Sequence, residues 1–322
     1  MLPEIPVLDC SSAVRINEQL GQRVNDLLTP WVDETGIFPG HSEKIRAADC
    51  GRFAMLCHPD TDDPQRLLLP AKCLAAMIAV DDHYCDDGQL GAIPQLVASR
   101  LSIAMAAIEP ALLNTPYAVQ LEEALAQDRV LRALRGYMKH LASCATAAQV
   151  ARERHELAAL FVAMSAEAAW RINHAVPAVW EYLAHRQINS FLPLVALIDI
   201  VGGYEIDANL YASVAVRRAT TLASSAATLA NDIYSAAVEA RAEIGDFNLC
   251  GLLAATQRCS PQEAMDQAVS IHDDLMRAYK AQELLLLRNA PPLLKRYLAG
   301  LHAWVAGCRE WHEKSARYRI ES

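Results

Sequence analysis

Turn-forming and aromatic residues are scarce in this chain of 322 residues, which contains 13 Gly and 15 Pro and is only 6% aromatic. No segment alternates apolar and polar residues over the length of a useful strand. Sandwiches and barrels of β-strands depend on such alternation and on frequent turns, so the composition argues against them. The 53% of hydrophobic residues is nevertheless enough for a sizeable core.

Positively charged residues are also fewer than negatively charged ones. The chain has 29 Lys and Arg and 38 Asp and Glu, which gives a formal net charge of −9. Because the sequence lacks the basic stripe of a nucleic-acid-binding protein, we expect no nucleic-acid partner. The nine cysteines include no C-x-x-C pair. Such an odd, dispersed set is typical of reduced thiols rather than of a disulfide framework or a zinc site.

Long apolar runs and a secretory leader pattern are missing too. The N-terminal segment has neither a basic start nor a continuous apolar core. The longest apolar stretches, such as 191–198, are far shorter than the ~20 residues that span a bilayer. The sequence therefore predicts a cytoplasmic protein with no membrane partner.

Helical periodicity runs through almost the whole chain. It predicts a bundle of ten or more helices in a single all-α domain, residues 1–322, with residues 1–10 as a loose strap. One predicted helix is opened by Pro177 and kinked at Pro193. Another begins at Pro64 or Pro70 and ends near Asp86. The others are 13–30, 43–57, 92–108, 116–127, 129–144, 148–173, 207–241, 261–288 and 291–315.

The segment DDHYCDD at 81–87 concentrates four aspartates at the predicted end of a helix. Asp82 and Asp86 are spaced i, i+4 and so share one face, with Asp81 one residue round the helix. A solvated acidic helix end is the alternative, but the helix dipole disfavours anions there. Carboxylates in this arrangement suit Mg²⁺, which takes oxygen ligands and is usually completed by water and phosphate.

A second polar stripe occurs in NDIYSAAVE at 231–239, inside an otherwise apolar helix. Asn231, Ser235 and Glu239 are spaced i, i+4, i+8, so each presents an oxygen on one face. Alone, this pattern is easily found on a solvated helix. Paired with the aspartates, it predicts two oxygen-rich faces that hold several Mg²⁺ ions between them.

Asp-Asp-x3-Asp followed by Asn-Asp-x2-Ser-x3-Glu resembles the paired motifs of bacterial class I terpene synthases. The resemblance implies a class I terpenoid synthase helical bundle that binds a prenyl diphosphate and abstracts its diphosphate with three Mg²⁺ ions. The metal ligands that it implies are Asp81, Asp82, Asp86, Asn231, Ser235 and Glu239.

Further segments are similar to other marks of that family. WEYLAHRQINSFLPL resembles its kinked effector helix, which makes Arg186 the diphosphate sensor and gives Asn189 and Ser190 the linker and effector positions. Arg317 and Tyr318 are similar to the pair that closes over the diphosphate. Without the other motifs, Arg186 reads as a surface salt-bridge former and the pair as a frayed tail. We expect Arg186→Ala to slow ionisation without changing the bundle.

One position departs from the family pattern, because many relatives have Lys directly before the Glu of the second motif and this chain has Val238. The diphosphate contact of that Lys is then absent or is supplied elsewhere, for which Lys72 and Arg241 are the candidates. The extra Asp87 need not bind metal. His83 is predicted to be a packing group rather than a catalyst.

The implied chemistry needs an apolar cavity whose aromatic faces stabilise a carbocation. For each aromatic candidate, ordinary core packing is an equally good explanation. Tyr84, inside the aspartate motif, and Trp304, on the last helix, have the best case. The full set is Phe53, Tyr84, Trp170, Phe191, Tyr234, Trp304 and Trp311.

DDHYCDD, RHELAALF and FNLCGLL are also similar to the 2-methylisoborneol and 2-methylenebornane synthase branch of the family. That resemblance implies 2-methylgeranyl diphosphate as substrate, a geranyl diphosphate C-methyltransferase as metabolic partner, and a C11 bornane-type product. His83 stands where that branch has Cys, which leaves open whether the last cation loses a proton or captures water. A possible homodimer is a further family expectation.

Several alternatives remain beside this interpretation. A monoterpene or sesquiterpene cyclase would act on geranyl or farnesyl diphosphate. A chain-elongating prenyltransferase would need a second Asp-rich motif, of which HDD at 272–274 is only a fragment. A di-iron bundle would need paired Glu-x-x-His motifs. A non-enzymatic helical adaptor explains the bundle but neither motif.

Overall fold

A computed structural model describes residues 3–38, 42–86, 88–239 and 247–318 of the chain. Over these residues it contains helices, turns and no strand, which confirms the all-α prediction. None of these helices combines the length and the apolar character that crossing a bilayer requires.

The helices follow one another with short connections. They are α1 (Glu18–Thr35), α2 (Ser42–Ala48), α3 (Cys50–Cys57), α4 (Pro64–Val80), α5 (Pro94–Ile108), α6 (Tyr117–Gln127), α7 (Arg129–Cys144), α8 (Ala147–Asn173), α9 (Val179–His185), α10 (Leu192–Val195), α11 (Ile198–Gly202), α12 (Ala208–Ala212), α13 (Val214–Glu239), α14 (Leu249–Gln257), α15 (Pro261–Leu287) and α16 (Pro292–Lys314). A π-helical turn, Asp81–Asp86, continues α4, and 3₁₀ turns cover Gly88–Leu90 and Ala316–Tyr318.

The prediction that the first helix stops at Pro30 was wrong. The helix begins at Glu18, continues past Pro30 and ends at Thr35, where Gly36 adopts a left-handed conformation with φ 66°. An internal Pro costs a helix about 3 kcal/mol. Trp31 and Val32 are buried on the same helix, and their packing offsets that cost.

Two predicted helices are interrupted. The segment 43–57 breaks at Asp49, which has φ 45° and whose side chain accepts a hydrogen bond from the Arg52 N–H at the start of α3. The segment 207–241 breaks at Ser213, between α12 and α13, and its last two residues lie outside the described ranges. The helix α14 was not predicted, because a short and very apolar helix shows no clear 3.6-residue period.

The helix predicted to be kinked at Pro193 is instead broken into α9, α10 and α11, with Pro193 in the first turn of α10. Elsewhere long helices pack side by side. α13 packs against α14, α15 and α16, α4 packs against α1, α3 and α7, and α5 packs against α8. This packing brings the C-terminal ends of α4, α8, α13 and α16 around one cleft.

Candidate active site

The cleft encloses about 970 Å³ of empty space, part of it open to solvent. Near the helix ends its walls carry carboxylates, amides and guanidinium groups. Farther from those ends the lining is apolar and comprises Leu74, Met77, Ile78, Leu160 and Met164. Of the predicted site residues, the cleft brings together Asp81, Asp86, Arg186, Asn189, Ser190, Phe191, Asn231, Glu239, Arg317 and Tyr318.

The first acidic wall is the π-helical turn that follows α4. Sequence analysis placed Asp82 and Asp86 on one α-helical face, but a π turn has i to i+5 hydrogen bonds and is wider. Asp81 and Asp86 therefore share the cleft face, whereas Asp82 is buried and accepts a hydrogen bond from Arg317 Nη2 at 3.4 Å. Its second carboxylate oxygen has no hydrogen-bond partner among the described residues.

Crowding makes Asp81 and Asp86 unfavourable as anions. Burial, together with repulsion from Asp86 and Asp82, raises the pKa of Asp81 well above its usual range. Burial also raises the pKa of Asp86 to about 6. On the facing wall, burial and the nearby Asp232 raise the pKa of Glu239 to about 7. A bound cation would favour the ionised form of all these groups.

The second wall is the C-terminal part of α13. Asn231 and Glu239 line the cleft, and Ser235 is buried between them on the same stripe. The amide of Asn248, just before α14, donates to Glu239 Oε2 at 2.6 Å and lies 3.4 Å from Ser235 Oγ. Asn248 thereby holds two of the three predicted ligands in place.

Arg186 follows α9 directly and is a largely buried ion-pair partner, with 14% of its side chain exposed, rather than a surface salt-bridge former. Its guanidinium donates to Asp232 Oδ1 at 2.5 Å and to the Asn189 carbonyl at 3.0 Å. It also lies 3.4 Å from Asn231 Oδ1. Sequence analysis missed Asp232, although its place beside Asn231 in the second motif was the available signal.

The turn Ala316–Tyr318 connects the two walls. Arg317 pairs with Asp82 on the first wall, and the Tyr318 hydroxyl accepts a hydrogen bond from Asn231 Nδ2 on the second, at 3.0 Å. The C-terminal pair thus lies over the cleft instead of fraying into solvent.

The segment between α9 and α10 places Asn189 and Ser190 at the cleft. Asn189 Nδ2 donates to Glu167 Oε2 at 2.8 Å, and Ser190 Oγ accepts from the Leu192 N–H at 3.3 Å. These contacts give hydrogen-bond partners to the Asn189 amide and to the Leu192 N–H, in the segment where the chain is not helical between α9 and α10.

Two cleft residues on α8 were not predicted. Arg171 donates to Glu167 at 2.6 Å and pairs with Asp86 at 2.8 Å, so it contacts the first acidic wall directly. The i, i+4 spacing of Glu167 and Arg171 on a predicted helix was the only signal in the sequence, and most such pairs are ordinary surface contacts.

Some of the predicted aromatic residues line the cleft, and others lie in the interior of the bundle. Phe191 lines the cleft, as does Trp311. Trp304 packs behind Phe191 with ring centroids 5.9 Å apart, and Phe53 lies 5.8 Å from Trp304. Tyr234 stacks 6.0 Å from the ring of His312.

Tyr84 and Trp170 do not line the cleft in the described part of the chain. Tyr84 faces Arg100 on α5, with the guanidinium 5.4 Å from its ring, because the π turn directs it away from the cleft aspartates. Trp170 packs 4.7 Å from His185 and 5.4 Å from Phe247, of which Phe247 does reach the cleft.

The substitutes considered for the missing lysine lie elsewhere. Lys72 Nζ lies 5.3 Å from the centre of the Trp31 ring and is not among the residues that line the cleft. Arg241 and Asp87 are outside the described residues. His83 is buried with its ring 2.5 Å from the Ile37 carbonyl, in agreement with a packing role.

These walls suit a hard divalent cation. Among the described residues, no three His, Cys, Asp or Glu side chains are already arranged to enclose a metal ion. A metal ion here would therefore need further oxygens, of the kind that Asn231 and Ser235 carry on the facing wall and that water and phosphate usually supply to Mg²⁺. Asp82 Oδ2, which accepts no hydrogen bond and has Lys44 Nζ 3.9 Å away, and the repelling pair Asp81 and Asp86 match that requirement.

Comparison with known proteins adds an independent observation. A family model described as terpene synthase family 2, C-terminal metal binding, matches residues 72–278. The chain is 36% identical over 303 residues to the 2-methylisoborneol synthase of Streptomyces ambofaciens, covering 93% of this chain and 68% of that protein. It is 34% identical over 318 residues to that of Saccharopolyspora erythraea, covering 97% and 89%.

A solved structure shares the whole fold. The crystal structure of 2-methylisoborneol synthase from Streptomyces coelicolor A3(2) in complex with Mg²⁺ and 2-fluoroneryl diphosphate superposes with a TM-score of 0.93. The two chains are 32% identical, and the match covers 98% of each.

Proposed function

Because the chain belongs to terpene synthase family 2 and is a class I terpene synthase, we propose that it converts 2-methylgeranyl diphosphate to a C11 bornane-type product. The observation that carries the proposal is the cleft, where two oxygen-rich walls face each other above an apolar interior. Likeness to proteins named 2-methylisoborneol synthase over more than nine-tenths of the chain supports this substrate.

The two walls would hold Mg²⁺ through the side chains already named, with three ions as the number proposed. Bound Mg²⁺ supplies charge neutralisation for the leaving diphosphate. The ligands proposed are Asp81, Asp82, Asp86, Asn231, Ser235 and Glu239.

Two guanidinium groups would bind the diphosphate itself. Arg186 and Arg317 come from separate parts of the chain to the same cleft, and charge-assisted hydrogen bonds to phosphate are among the strongest in proteins. The Tyr318 hydroxyl is a further donor at this end. The segment carrying Asn189 and Ser190, proposed as linker and effector, connects Arg186 to the apolar lining through Phe191.

The apolar depth of the cleft would fold the released hydrocarbon cation and keep water away from it. Phe191 and Trp311 offer aromatic faces to positive charge there. Leu74 and Met77 on α4 and Leu160 on α8 exclude water. The cation then either loses a proton, giving 2-methylenebornane, or captures water, giving 2-methylisoborneol.

Gas chromatography–mass spectrometry of the purified protein with Mg²⁺ tests this proposal. 2-Methylgeranyl, geranyl and farnesyl diphosphates are offered separately, with Asn231→Ala as the inactive control. We expect a C11 bicyclic product from the methylated substrate, at a kcat/KM at least about tenfold above geranyl diphosphate, since one buried methyl contributes 1–3 kcal/mol. Cyclisation of farnesyl diphosphate alone would overturn the substrate, and no diphosphate release from any would favour a helical adaptor.

The proposal includes a cytoplasmic location and a C-methyltransferase that makes the substrate from geranyl diphosphate. It also includes a homodimer, which light scattering after size-exclusion chromatography tests directly. A mass equal to one chain of 35.3 kDa would contradict the dimer and leave the chemistry untouched.

Glu239→Gln should stabilise the metal-free protein at pH 8 and leave it unchanged near pH 4. The folded pKa of Glu239, about 7, lies above the usual value of 4.5. Its contribution to stability is therefore complete below pH 4.5 and is lost as the pH rises through 7. For a partly buried side chain we expect a gain of about 1 to 2 kcal/mol at pH 8.

Urea unfolding of both proteins without metal at several pH values measures this gain. The amide of Gln can still accept the hydrogen bond from Asn248, so packing is preserved. Equal stability of the two proteins at pH 8 would contradict the raised pKa.

A further inference from the structure

The side-chain amide of Asn231 has hydrogen-bond acceptors at its nitrogen. Nδ2 lies 3.0 Å from the Tyr318 hydroxyl and 3.2 Å from His312 Nε2, so both N–H groups have a partner. Its oxygen is turned to the other side, 3.4 Å from an Arg186 nitrogen that lines the cleft. The amide therefore uses both N–H groups on Tyr318 and His312, and its oxygen faces Arg186.

The ring of His312 can only accept at Nε2. Its Nδ1 lies 2.8 Å from the Cys308 carbonyl, which has no hydrogen to donate, so Nδ1 carries the proton. The ring is buried, and among the described residues no carboxylate bonds to either nitrogen, so the ring is neutral and Nε2 keeps its lone pair. The ring packs among Trp311, Tyr318, Phe191 and Tyr234, at centroid distances of 4.8–6.0 Å.

A tyrosine hydroxyl alone would not fix the amide. It can accept from an N–H or donate to a carbonyl oxygen, so it serves either orientation of Asn231. A neutral imidazole whose other nitrogen is already donating has no such freedom. Of the two partners at Nδ2, only His312 distinguishes the nitrogen from the oxygen, and it acts together with the longer contact that Arg186, a donor only, makes to the oxygen at 3.4 Å.

We propose that His312 is a positioning residue, which holds the Asn231 amide with its oxygen toward the metal. The proposal rests on the proposed function, in which Asn231 is a metal ligand. A flipped amide would direct two N–H groups at a cation, and groups that orient a metal ligand typically change metal affinity or activity 10- to 100-fold.

Two substitutions separate orientation from packing. His312→Phe keeps an aromatic ring of similar size but removes the acceptor. His312→Gln keeps an acceptor near the position of Nε2, but its amide can also turn and donate, so it fixes the orientation of Asn231 only in part. We expect Phe to weaken Mn²⁺ binding about 10- to 100-fold in the presence of inorganic diphosphate, and Gln to weaken it only a few fold. Electron paramagnetic resonance of free Mn²⁺ measures this without turnover, and circular dichroism confirms folding.

The same His312 substitution made in an Asn231→Asp protein tests the orienting role more directly. In Asn231→Asp the side chain is a carboxylate, which presents an oxygen in either orientation and needs no positioning. His312→Phe should therefore weaken Mn²⁺ binding at most about twofold in that background. An equal loss in both backgrounds would show a packing role and overturn the inference.

The same assay separates this inference from the proposed function. If Asn231→Ala binds Mn²⁺ as tightly as the unaltered protein, the metal assignment itself is wrong. If Asn231→Ala binds weakly while His312→Phe binds normally, only the positioning role of His312 fails.

Discussion

Asn231→Ala should lower kcat for diphosphate release by about 10²- to 10³-fold. The variant should unfold at nearly the same denaturant concentration as the unaltered protein. Metal-assisted charge stabilisation contributes several kcal/mol to such reactions, and each 1.36 kcal/mol is tenfold in rate. Asn231 lies at the open side of α13 and is only partly buried, so its removal leaves the helix packing intact. Single-turnover assays of diphosphate release at saturating Mg²⁺ measure the loss.

Asp274→Asn is the matched control. Asp274 lies exposed on α15, in the fragment that a prenyltransferase would require as its second acidic motif, and pairs with Arg277 on the same helix. We expect its activity to be unchanged. Full activity in Asn231→Ala would refute the metal assignment, and loss of activity in Asp274→Asn would revive the prenyltransferase alternative.

Helical periodicity predicted the bounds of α7, α8 and α15 to within one residue, because these helices are determined by residues close in sequence. Asn231 and Glu239 face the cleft as the i, i+8 stripe of an α-helix requires. The first motif follows a different geometry, since local spacing does not reveal a π turn. That turn pairs Asp81 with Asp86 and leaves Asp82 to Arg317, 235 residues away.

Sequence patterns could not predict which side chains from distant segments contact each other. Tyr84 is adjacent to the aspartates in sequence but faces α5, and Trp304 lies behind Phe191 instead of at the cleft surface. His312 shows the same limit, because nothing in the local sequence WHEKSARY relates it to Asn231. Such pairings follow from how α13 packs against α16, which depends on the whole core.

The buried ion pair of Arg186 and Asp232 changes what the sequence led us to expect of Arg186→Ala. We now expect this substitution to reduce both turnover and stability. Removing one partner of a buried pair typically costs 3–5 kcal/mol, because the other charge stays buried. Asp232 retains hydrogen bonds from the Tyr182 hydroxyl at 2.7 Å and the Leu249 N–H at 3.2 Å, so we expect about 3 kcal/mol.

A double variant separates the two effects. In Arg186→Ala/Asp232→Asn the uncompensated charge is gone, and Asn still accepts from Tyr182, so most of the lost stability should return. Turnover should stay at least about 10²-fold low, because charge-assisted contacts to a developing anion are missing. Urea unfolding and single-turnover diphosphate release, both below the unfolding transition, measure the two properties on the same samples. Recovery of turnover together with stability would mean that Arg186 acts only through the fold, and would remove its role as the diphosphate sensor.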